Sequence, residues 1–160
     1  MLKIGLGYDI HPLVAGRSLV LGGLAVPGPR GLLGHSDGDA LVHAIIDALL
    51  GAAGEGDIGR LYPDTDPRTK GISSLQILGE VMDRLTAGGW KVANVDAVVV
   101  AEEPKIAPLA GAMKKVLCPV LGVADADLSI KGKTNEGLGS VGESRAVACW
   151  AVALIEKSDR

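Results

Sequence analysis

Two stretches of the sequence combine carboxylates with imidazoles at spacings that suit metal binding. Asp9 and His11 lie two residues apart in MLKIGLGYDIHPL, which has the composition of a strand, so their side chains share one face. His43 and Asp47 lie four apart in the helical pattern ALVHAIIDALLGAAG and also share a face. If this helix packs beside the strand, Asp9, His11 and His43 converge. Three N/O ligands with a vacant fourth position are typical of catalytic zinc.

A carboxylate behind a zinc-bound histidine usually fixes the tautomer of the ring, and Asp47 is placed to accept the remaining N–H of His43. The alternative is structural: Asp9 ends a strand and His43 packs in the core. The cluster HSDGD (35–39) favours the metal, because it crowds carboxylates, a hydroxyl and a histidine before a helix N-terminus. Helix N-termini attract anions. A metal beside one therefore predicts a phosphate-containing ligand.

The elements that must position these residues predict a single α+β domain over residues 1–160, with a mixed sheet and helices packed on one face. The predicted strands are 2–10, the hairpin 18–26 turning at Gly22-Gly23, 91–103, 127–134 and 146–157; the predicted helices are 40–54 after an Asp39 cap, 74–87 after Ser73 or Ser74, and 104–121. Periodicity alone also permits a helix over 146–157. Residues 55–71 form a polar, turn-rich segment, and loops that long are uncommon without a function.

Composition narrows the class of protein. A net charge of −3 and 2% aromatic residues argue against nucleic-acid binding. No apolar run approaches the ~18 residues of a membrane span, so the 48% hydrophobic content predicts extra buried surface at subunit contacts. Cys118 and Cys149 are expected to be buried free thiols. The N-terminus lacks a targeting pattern, which predicts a cytoplasmic protein, although a processed organelle protein would look the same.

The motifs GYDIH, GHSDGDALVHAIIDALLGAAGEGDIG, LYPDTDPRTKG, NVD with AEEPKI, and KTNEGLG occur in this order along nearly the whole chain. In them the sequence closely resembles the 2-C-methyl-D-erythritol 2,4-cyclodiphosphate synthase family of the non-mevalonate isoprenoid pathway. The resemblance implies a homotrimer with active sites between neighbouring subunits. It also implies conversion of 4-diphosphocytidyl-2-C-methyl-D-erythritol 2-phosphate into the cyclic diphosphate plus CMP. The expected compartment is the bacterial cytoplasm, or a plastid-type organelle if a transit peptide was removed.

The resemblance also implies roles for individual residues. Asp9, His11 and His43 match the zinc ligands of the family, and Glu136 matches the protein ligand of a second ion, Mg²⁺ or Mn²⁺. His35 and Thr134 match positions assigned to transition-state stabilisation. The positions that match substrate-binding residues are Ser36, Asp57, Ile58, Gly59, Tyr62, Pro63, Asp64, Thr65, Asp66, Ala101, Pro104, Lys105, Ile106, Ala107, Lys133 and Asn135. Taken singly, most of these have ordinary structural explanations, and only their joint order favours the functional one.

These residue types suit the implied reaction. The 2-phosphate must attack the β-phosphorus of the diphosphate, and the two anions repel each other. Divalent ions on either side of the diphosphate would neutralise charge and align the attack with the departing CMP. Phosphoryl transfer needs little covalent help, so neither a nucleophilic serine nor a cysteine is expected.

One stretch departs from the family pattern. Where Gly-Arg-Gly-Glu is usual, Glu143 stands in place of Arg and Arg145 in place of Glu. In the family this stretch lies near the trimer axis, where the lining can accept an isoprenoid diphosphate. If Glu143 and Arg145 pair across subunits, the exchange preserves the pair and loses the anion site. Ser140 and Glu143 are therefore not carried over as ligands.

Two other functions remain open at the sequence level. A zinc-dependent phosphoesterase acting on a nucleotide diphosphate would release a linear phosphate instead of a cyclic one. A non-catalytic trimer that binds isoprenoid diphosphates would release no CMP.

Overall fold

The computed structural model describes residues 1–63 and 65–157. Over these ranges the chain forms seven strands and five helices. The strands are β1 (Leu2–Ala15), β2 (Leu19–Leu21), β3 (Leu24–Val26), β4 (Arg30–Leu32), β5 (Lys91–Val100), β6 (Leu128–Lys133) and β7 (Ala146–Glu156). The helices are α1 (Ala40–Ala53), α2 (Ile58–Leu61), α3 (Ser74–Ala87), α4 (Ala107–Leu121) and α5 (Gly139–Gly142).

The central sheet is mixed, as the sequence predicts. Its strand order is β4-β1-β7-β5-β6, with β5 and β6 parallel and the other neighbours antiparallel. The strands β2 and β3 form the expected hairpin apart from this sheet, and Gly22 and Gly23 at its turn both have positive φ. The last segment is a strand, so the helical alternative for 146–157 is wrong.

Several element boundaries differ from those predicted. The strand β1 continues to Ala15, so it carries His11 within it. The segments that read as loops because of their Gly and Pro content contain β4, α2 and α5, each only three or four residues long. Such short elements are held by tertiary contacts and have no room for a periodic pattern. The helix α4 begins at Ala107, with a proline in its first turn, three residues later than predicted.

The three long helices cover one face of the sheet. The helix α1 packs on β1 and β7, α3 packs against α1, and α4 packs against β6 and α3. Nearly all of α1 is therefore buried, including Leu41, Ile45 and Leu49. None of the described helices is long and apolar enough to cross a membrane. Cys149 is buried on β7 as expected, whereas Cys118 on α4 is only half-buried; both are free thiols.

The opposite face of the sheet is apolar. Val141 of α5 packs on it against Val100, Ala146 and Ala148, and beyond this small cluster the described residues leave it uncovered. On β1 the even-numbered side chains Ile4, Leu6, Tyr8 and Ile10 point to this face and are exposed. Opposite them on β7 stand Trp150 and Val152 (Tyr8 pairs with Trp150 and Leu6 with Val152). We name these six side chains the outer face of the sheet. A continuous apolar surface of this kind marks an interaction site.

Candidate metal centre and substrate cavities

The alternation of β1 decides where its polar pair points. The odd-numbered residues face α1, beginning with Gly5 and Gly7 and continuing with Asp9 and His11. The large apolar side chains of β1 therefore lie on the outer face, and its glycines and the two side chains that can bind a metal lie on the face towards α1.

The two glycines let α1 approach the strand closely. A Cβ on Gly7 would lie 1.9 Å from the Ala44 carbonyl oxygen, and one on Gly5 would lie 1.9 Å from that of Ala48. Neither position can carry a side chain unless the helix moves. This close approach brings His43, next to Ala44 on the helix, towards Asp9 and His11.

The N-terminus of α1 is anchored by Asp39. Its carboxylate accepts from Val42 N (3.1 Å), as the predicted N-cap, and also from Gly22 N (2.9 Å) and Gly23 N (2.7 Å) of the β2–β3 turn. His43 lies in the first turn after this cap, so its position along the helix axis is set by the cap.

The three predicted zinc ligands meet at one point. Asp9 Oδ2 lies 2.9 Å from both His11 Nε2 and His43 Nδ1, and these two nitrogens are 3.2 Å apart. In the part of the chain that the structure describes, these three side chains are the histidine, cysteine or acidic residues whose ligand atoms lie close enough together to hold one metal ion. Bonds of about 2.0–2.2 Å in a tetrahedral site separate the ligand atoms by about 3.3–3.6 Å, slightly more than here.

Contacts behind the ligands orient the histidine rings. His11 Nδ1 lies 2.7 Å from the Leu33 carbonyl oxygen, which can only accept, so Nδ1 carries the proton and Nε2 presents a lone pair to the cluster. On His43 the nitrogen that faces away, Nε2, lies 2.8 Å from Ser74 Oγ and 3.1 Å from Ser36 Oγ.

The prediction for Asp47 is wrong. Its Oδ1 accepts from the backbone N–H of Ile58 at 2.8 Å, and the outward nitrogen of His43 contacts serine hydroxyls instead. Asp47 and His43 share a face of α1, but the ring of His43 points towards the start of the helix, as helical side chains do. Asp47 therefore holds the start of α2.

The cluster perturbs the acid–base properties of its members. Burial opposes ionisation of Asp9, but hydrogen bonds from His11 and His43 outweigh it and hold the pKa of the carboxyl well below its usual range. Burial likewise opposes the charged form of His11, yet the hydrogen bond and charge of Asp9 raise the pKa of the imidazole. A negative charge is thus held where a cation would bind.

A cavity of about 210 Å³ opens beside the cluster. The predicted site residues that line it, besides His11 and His43, are His35, Ser36, Ile58 and Tyr62, joined by Thr69, Ile72 and Ile77. His35 and Ser36 come from the loop before α1, and His35 Nε2 lies 3.3 Å from the Asp66 carbonyl oxygen. The cavity therefore joins the metal-competent cluster to two of the family motifs.

The turn-rich segment forms one wall of this cavity. Asp57 caps α2 by accepting from Arg60 N at 2.9 Å, and Tyr62 donates to Glu80 on α3. Burial, followed by the contact with Glu80, raises the pKa of Tyr62 to about 12. Nearby, the Pro63 carbonyl accepts from Thr69 Oγ1 at 3.2 Å, which closes the turn. Gly59 and Thr65 are exposed, and Asp64 lies outside the described residues.

A second cavity, of about 150 Å³, lies at the ends of β5 and β6. It is lined by Ala101, Lys105, Ile106, Ala107, Gly132, Lys133 and Thr134. Five of these are predicted substrate-binding residues, and Thr134 is the position assigned to transition-state stabilisation. Pro104 lines a neighbouring depression with Lys105. Gly132 makes room here, because a Cβ on it would lie 2.7 Å from that of Ile106.

The loop after β6 carries the remaining predicted residues. Thr134 Oγ1 donates to Glu136 Oε1 at 2.7 Å, and the Asn135 N–H donates to Glu102. Glu136 is exposed and has a positive φ of 52°, an unusual backbone conformation for a residue other than glycine. The side chains of Thr134 and Glu136 are thus in direct contact.

Within one chain the two cavities are separate and share no lining residue. The strand registers place Lys133 opposite Val100, Val100 opposite Ala148, and Ala148 opposite Ile10. Lys133 thus lies level with the metal cluster but three strand spacings away, about 14 Å at about 4.8 Å per spacing.

Glu143 and Arg145 pair within the chain. Arg145 Nε donates to Glu143 Oε2 at 2.7 Å, and Ser144 between them has a positive φ of 55°. The hypothetical pairing across subunits is therefore not needed to satisfy these charges.

The fold and the cluster define a class of protein. It is an α+β protein in which a mixed sheet and its first helix hold an Asp-His-His set able to bind a metal, at the mouth of a cavity. The model of the YgbB family matches residues 2–156. The chain belongs to the YgbB family.

Named relatives agree over the full length of the chain. It is 51% identical, over 157 residues, to the 2-C-methyl-D-erythritol 2,4-cyclodiphosphate synthase of Pelotomaculum thermopropionicum, covering 98% of this chain and 97% of that protein. It is 54% identical to the synthase of the same name from Gloeobacter violaceus, covering 98% and 96%. It also resembles a structure of IspF from Plasmodium falciparum in complex with CDP, with a TM-score of 0.87 and 35% identity, covering 99% and 97%.

Proposed function

We propose that this chain converts 4-diphosphocytidyl-2-C-methyl-D-erythritol 2-phosphate into 2-C-methyl-D-erythritol 2,4-cyclodiphosphate and CMP. An oxygen of the 2-phosphate forms a bond to the β-phosphorus while the bond from that phosphorus to the oxygen of CMP breaks. The reaction is that of a CMP-releasing, cyclising phosphorus–oxygen lyase. The observation that carries the proposal is the convergence of Asp9, His11 and His43 beside a cavity lined by the family motifs.

The donor set of the cluster fits zinc. Two imidazole nitrogens and one carboxylate oxygen are typical ligands of a catalytic zinc site, and the Leu33 carbonyl leaves a lone pair on His11 Nε2 for the ion. Glu136, with the hydroxyl of Thr134 beside it, is the proposed protein ligand of Mg²⁺ or Mn²⁺. When bound, these ions would neutralise the charge of the diphosphate and hold it in line for attack.

The residues of the chain supply binding and orientation. We assign the methylerythritol 2-phosphate end to Ser36, Asp57–Gly59 and Tyr62–Asp66, of which Ser36, Ile58 and Tyr62 line the first cavity. We assign the cytidine diphosphate end to Ala101, Pro104–Ala107 and Lys133–Asn135, of which Ala101, Lys105–Ala107 and Lys133 line the second. His35 at one cavity and Thr134 at the other carry hydrogen-bond donors for the charge that develops in the transition state. The attacking phosphate oxygen is already ionised, so no general base is assigned.

We further propose that residues 1–160 form one domain that assembles as a homotrimer with the outer face of the sheet inside. Two observations support this assembly: the outer face is a continuous apolar surface, and the two cavities do not meet within one chain. A neighbouring subunit would cover the outer face, and it would also bring one of its own cavities next to the other cavity of this chain. The cytoplasm remains the predicted compartment.

The exchange of Glu143 and Arg145 leads us to propose that an isoprenoid diphosphate binds poorly at the trimer axis. The guanidinium of Arg145 is already paired with Glu143 within the chain, and the carboxylate of Glu143 would repel a diphosphate. Titration with farnesyl diphosphate tests this; micromolar binding would contradict it.

The products decide the function. Purified protein incubated with the diphosphocytidyl substrate, Zn²⁺ and Mg²⁺ should yield CMP and a cyclic diphosphate in phosphorus NMR. CMP with a linear phosphate would instead identify a phosphoesterase. Stoichiometric zinc without CMP release would identify a non-catalytic binding protein. Omission of each metal in turn serves as the control.

A further inference from the structure

A chain of hydrogen bonds runs away from the metal cluster through the back of His43. The outward nitrogen of the ring, Nε2, lies 2.8 Å from Ser74 Oγ, the hydroxyl of the first residue of α3. That hydroxyl in turn contacts Asp37 Oδ1. Ser74 is completely buried and His43 is nearly so, which shields the contact between them from water, whereas Asp37 is half-buried. The sequence patterns indicated Ser74 only as a possible cap of α3 and Asp37 only as part of the HSDGD cluster.

The partners fix the direction of these hydrogen bonds. Asp37 accepts from the Ser74 N–H (2.9 Å) and from the Asp39 N–H (3.2 Å), as a carboxylate does. The Ser74 hydroxyl therefore donates its proton to Asp37, and its oxygen is left to accept from His43. The Nε2 of His43 then carries the proton, and Nδ1 presents its lone pair towards Asp9 and His11.

We propose that Ser74 and Asp37 are positioning residues that hold His43 in the Nε2–H tautomer and in the rotamer that ligates the metal. The pair takes the role that the sequence had given to Asp47. The proposal rests on the metal site of the proposed function. A metal-bound histidine commonly donates its other N–H to a carboxylate directly; here a buried hydroxyl stands between the two. Ser36 Oγ, at 3.1 Å, is the longer of the two contacts to Nε2.

The first test measures zinc affinity by competition with a chelator, without any assay of turnover. Ser74→Ala and Asp37→Asn should each weaken zinc binding about 10- to 100-fold. Asp37→Asn keeps the shape of the side chain but replaces one acceptor oxygen with a donor. The matched control is Ser73→Ala: Ser73 precedes α3 and its side chain makes no capping bond, so zinc affinity should stay within about twofold of the wild type.

Asp37 also accepts from the first N–H of α3, so loss of this contact is a second route by which a substitution can act, through the helix and not through His43. A second readout separates the two effects. In zinc-loaded protein with ¹⁵N-labelled histidine, the Nε2–H proton of His43 should be visible and slow to exchange in the wild type and in Ser73→Ala. In Ser74→Ala it should exchange too fast to observe, while the amide signals of α3 persist.

Wild-type affinity together with a protected Nε2–H proton in Ser74→Ala would overturn the proposal. Weakened zinc binding that comes with loss of the α3 amide signals, and with an unchanged Nε2–H proton, would also overturn it. A wild-type protein that binds no zinc would refute the metal site of the proposed function. Equal zinc binding by wild type and Ser74→Ala would refute only the positioning role of Ser74.

Discussion

The metal cluster with the first cavity, between β1 and α1, differs in construction from the second cavity at the ends of β5 and β6. We call the former the pocket and the latter, with the loop after β6, the cleft. In the pocket, three ligand atoms already lie within 3.2 Å of one another, and each ring nitrogen that faces away from them has a partner. In the cleft, Lys133 is exposed at the end of β6, and Lys105 and Glu136 are exposed in the loops that follow β5 and β6. One region is finished within a single chain, and the other is open.

The difference follows from what holds each region. The pocket depends on the contact of Gly5 and Gly7 with α1, where the fit allows no side chain. The cleft has no covering element among the described residues, and the uncovered outer face of the sheet leaves room for a neighbour to supply one. We infer that the metal pocket is preorganised in each subunit and that the substrate path is completed only by assembly.

The largest loss of turnover is expected when either region is disabled by a single substitution. His43→Ala should lose zinc and at least about 10³-fold in turnover, because several kcal/mol of charge stabilisation disappear. Glu136→Gln should lose turnover but retain one zinc per subunit. Metal analysis and CMP release measure both, and each variant should remain a trimer.

Mixing these two inactive variants sharpens the comparison. If each active site takes His43 from one subunit and Glu136 from the next, subunits mixed in equal amounts and reassembled should regain about a quarter of wild-type turnover. If both residues of a site come from the same chain, no mixture contains an intact site, and the activity stays at background.

A charge on the outer face should break the assembly. Leu6 is 68% exposed in the single chain, yet the proposed trimer buries it. Leu6→Glu should therefore yield monomers in light scattering, with weak turnover and with zinc still bound in the preformed pocket. Ala87→Glu, at the exposed end of α3, is the control and should stay trimeric. Loss of zinc from monomeric Leu6→Glu would show that the pocket is not preorganised.

A methyl group on Gly7 should separate α1 from β1 and so disrupt the pocket. Gly7→Ala forces α1 away from the strand, so we expect a loss of about 1–3 kcal/mol in the free energy of unfolding, together with weaker zinc binding as His43 withdraws. Gly51→Ala lies on the same helix with nothing within 4 Å of the added Cβ. That control should be neutral or more stable by up to about 1 kcal/mol. Thermal unfolding and chelator competition measure both.

The smallest effect concerns the wall of the pocket. Tyr62→Phe removes the contact with Glu80 near the surface and should change stability by less than about 1 kcal/mol. The folded pKa of Tyr62, about 12, lies above the value of about 10 for an unfolded chain, so this contribution is complete below pH ~10 and is lost as the pH rises through about 12. Ultraviolet titration should show a phenol near 12 that disappears in Tyr62→Phe and persists in Tyr8→Phe.

Much of the fold was open to prediction from local pattern. The Asp39 cap, the Gly22-Gly23 turn and the long strands and helices each have a signal within a few residues, and the structure confirms them. The short elements β4, α2 and α5 have none, because their backbone is held by distant partners. For the same reason the ends of β1 and β5 were misplaced by three to five residues.

The sequence by itself determined the chemistry: the residue types and spacings of Asp9, His11 and His43 predicted a metal cluster, and the ordered motifs indicated the family. Only the tertiary structure decided how the cluster is supported. Helical spacing pointed to Asp47, whereas the ring of His43 turns back towards Ser74 and Asp37, which lie 31 residues ahead and six behind in the chain. Local periodicity cannot predict the contact of His43 with Ser74, because this contact depends on where α3 begins relative to α1 once both helices have packed.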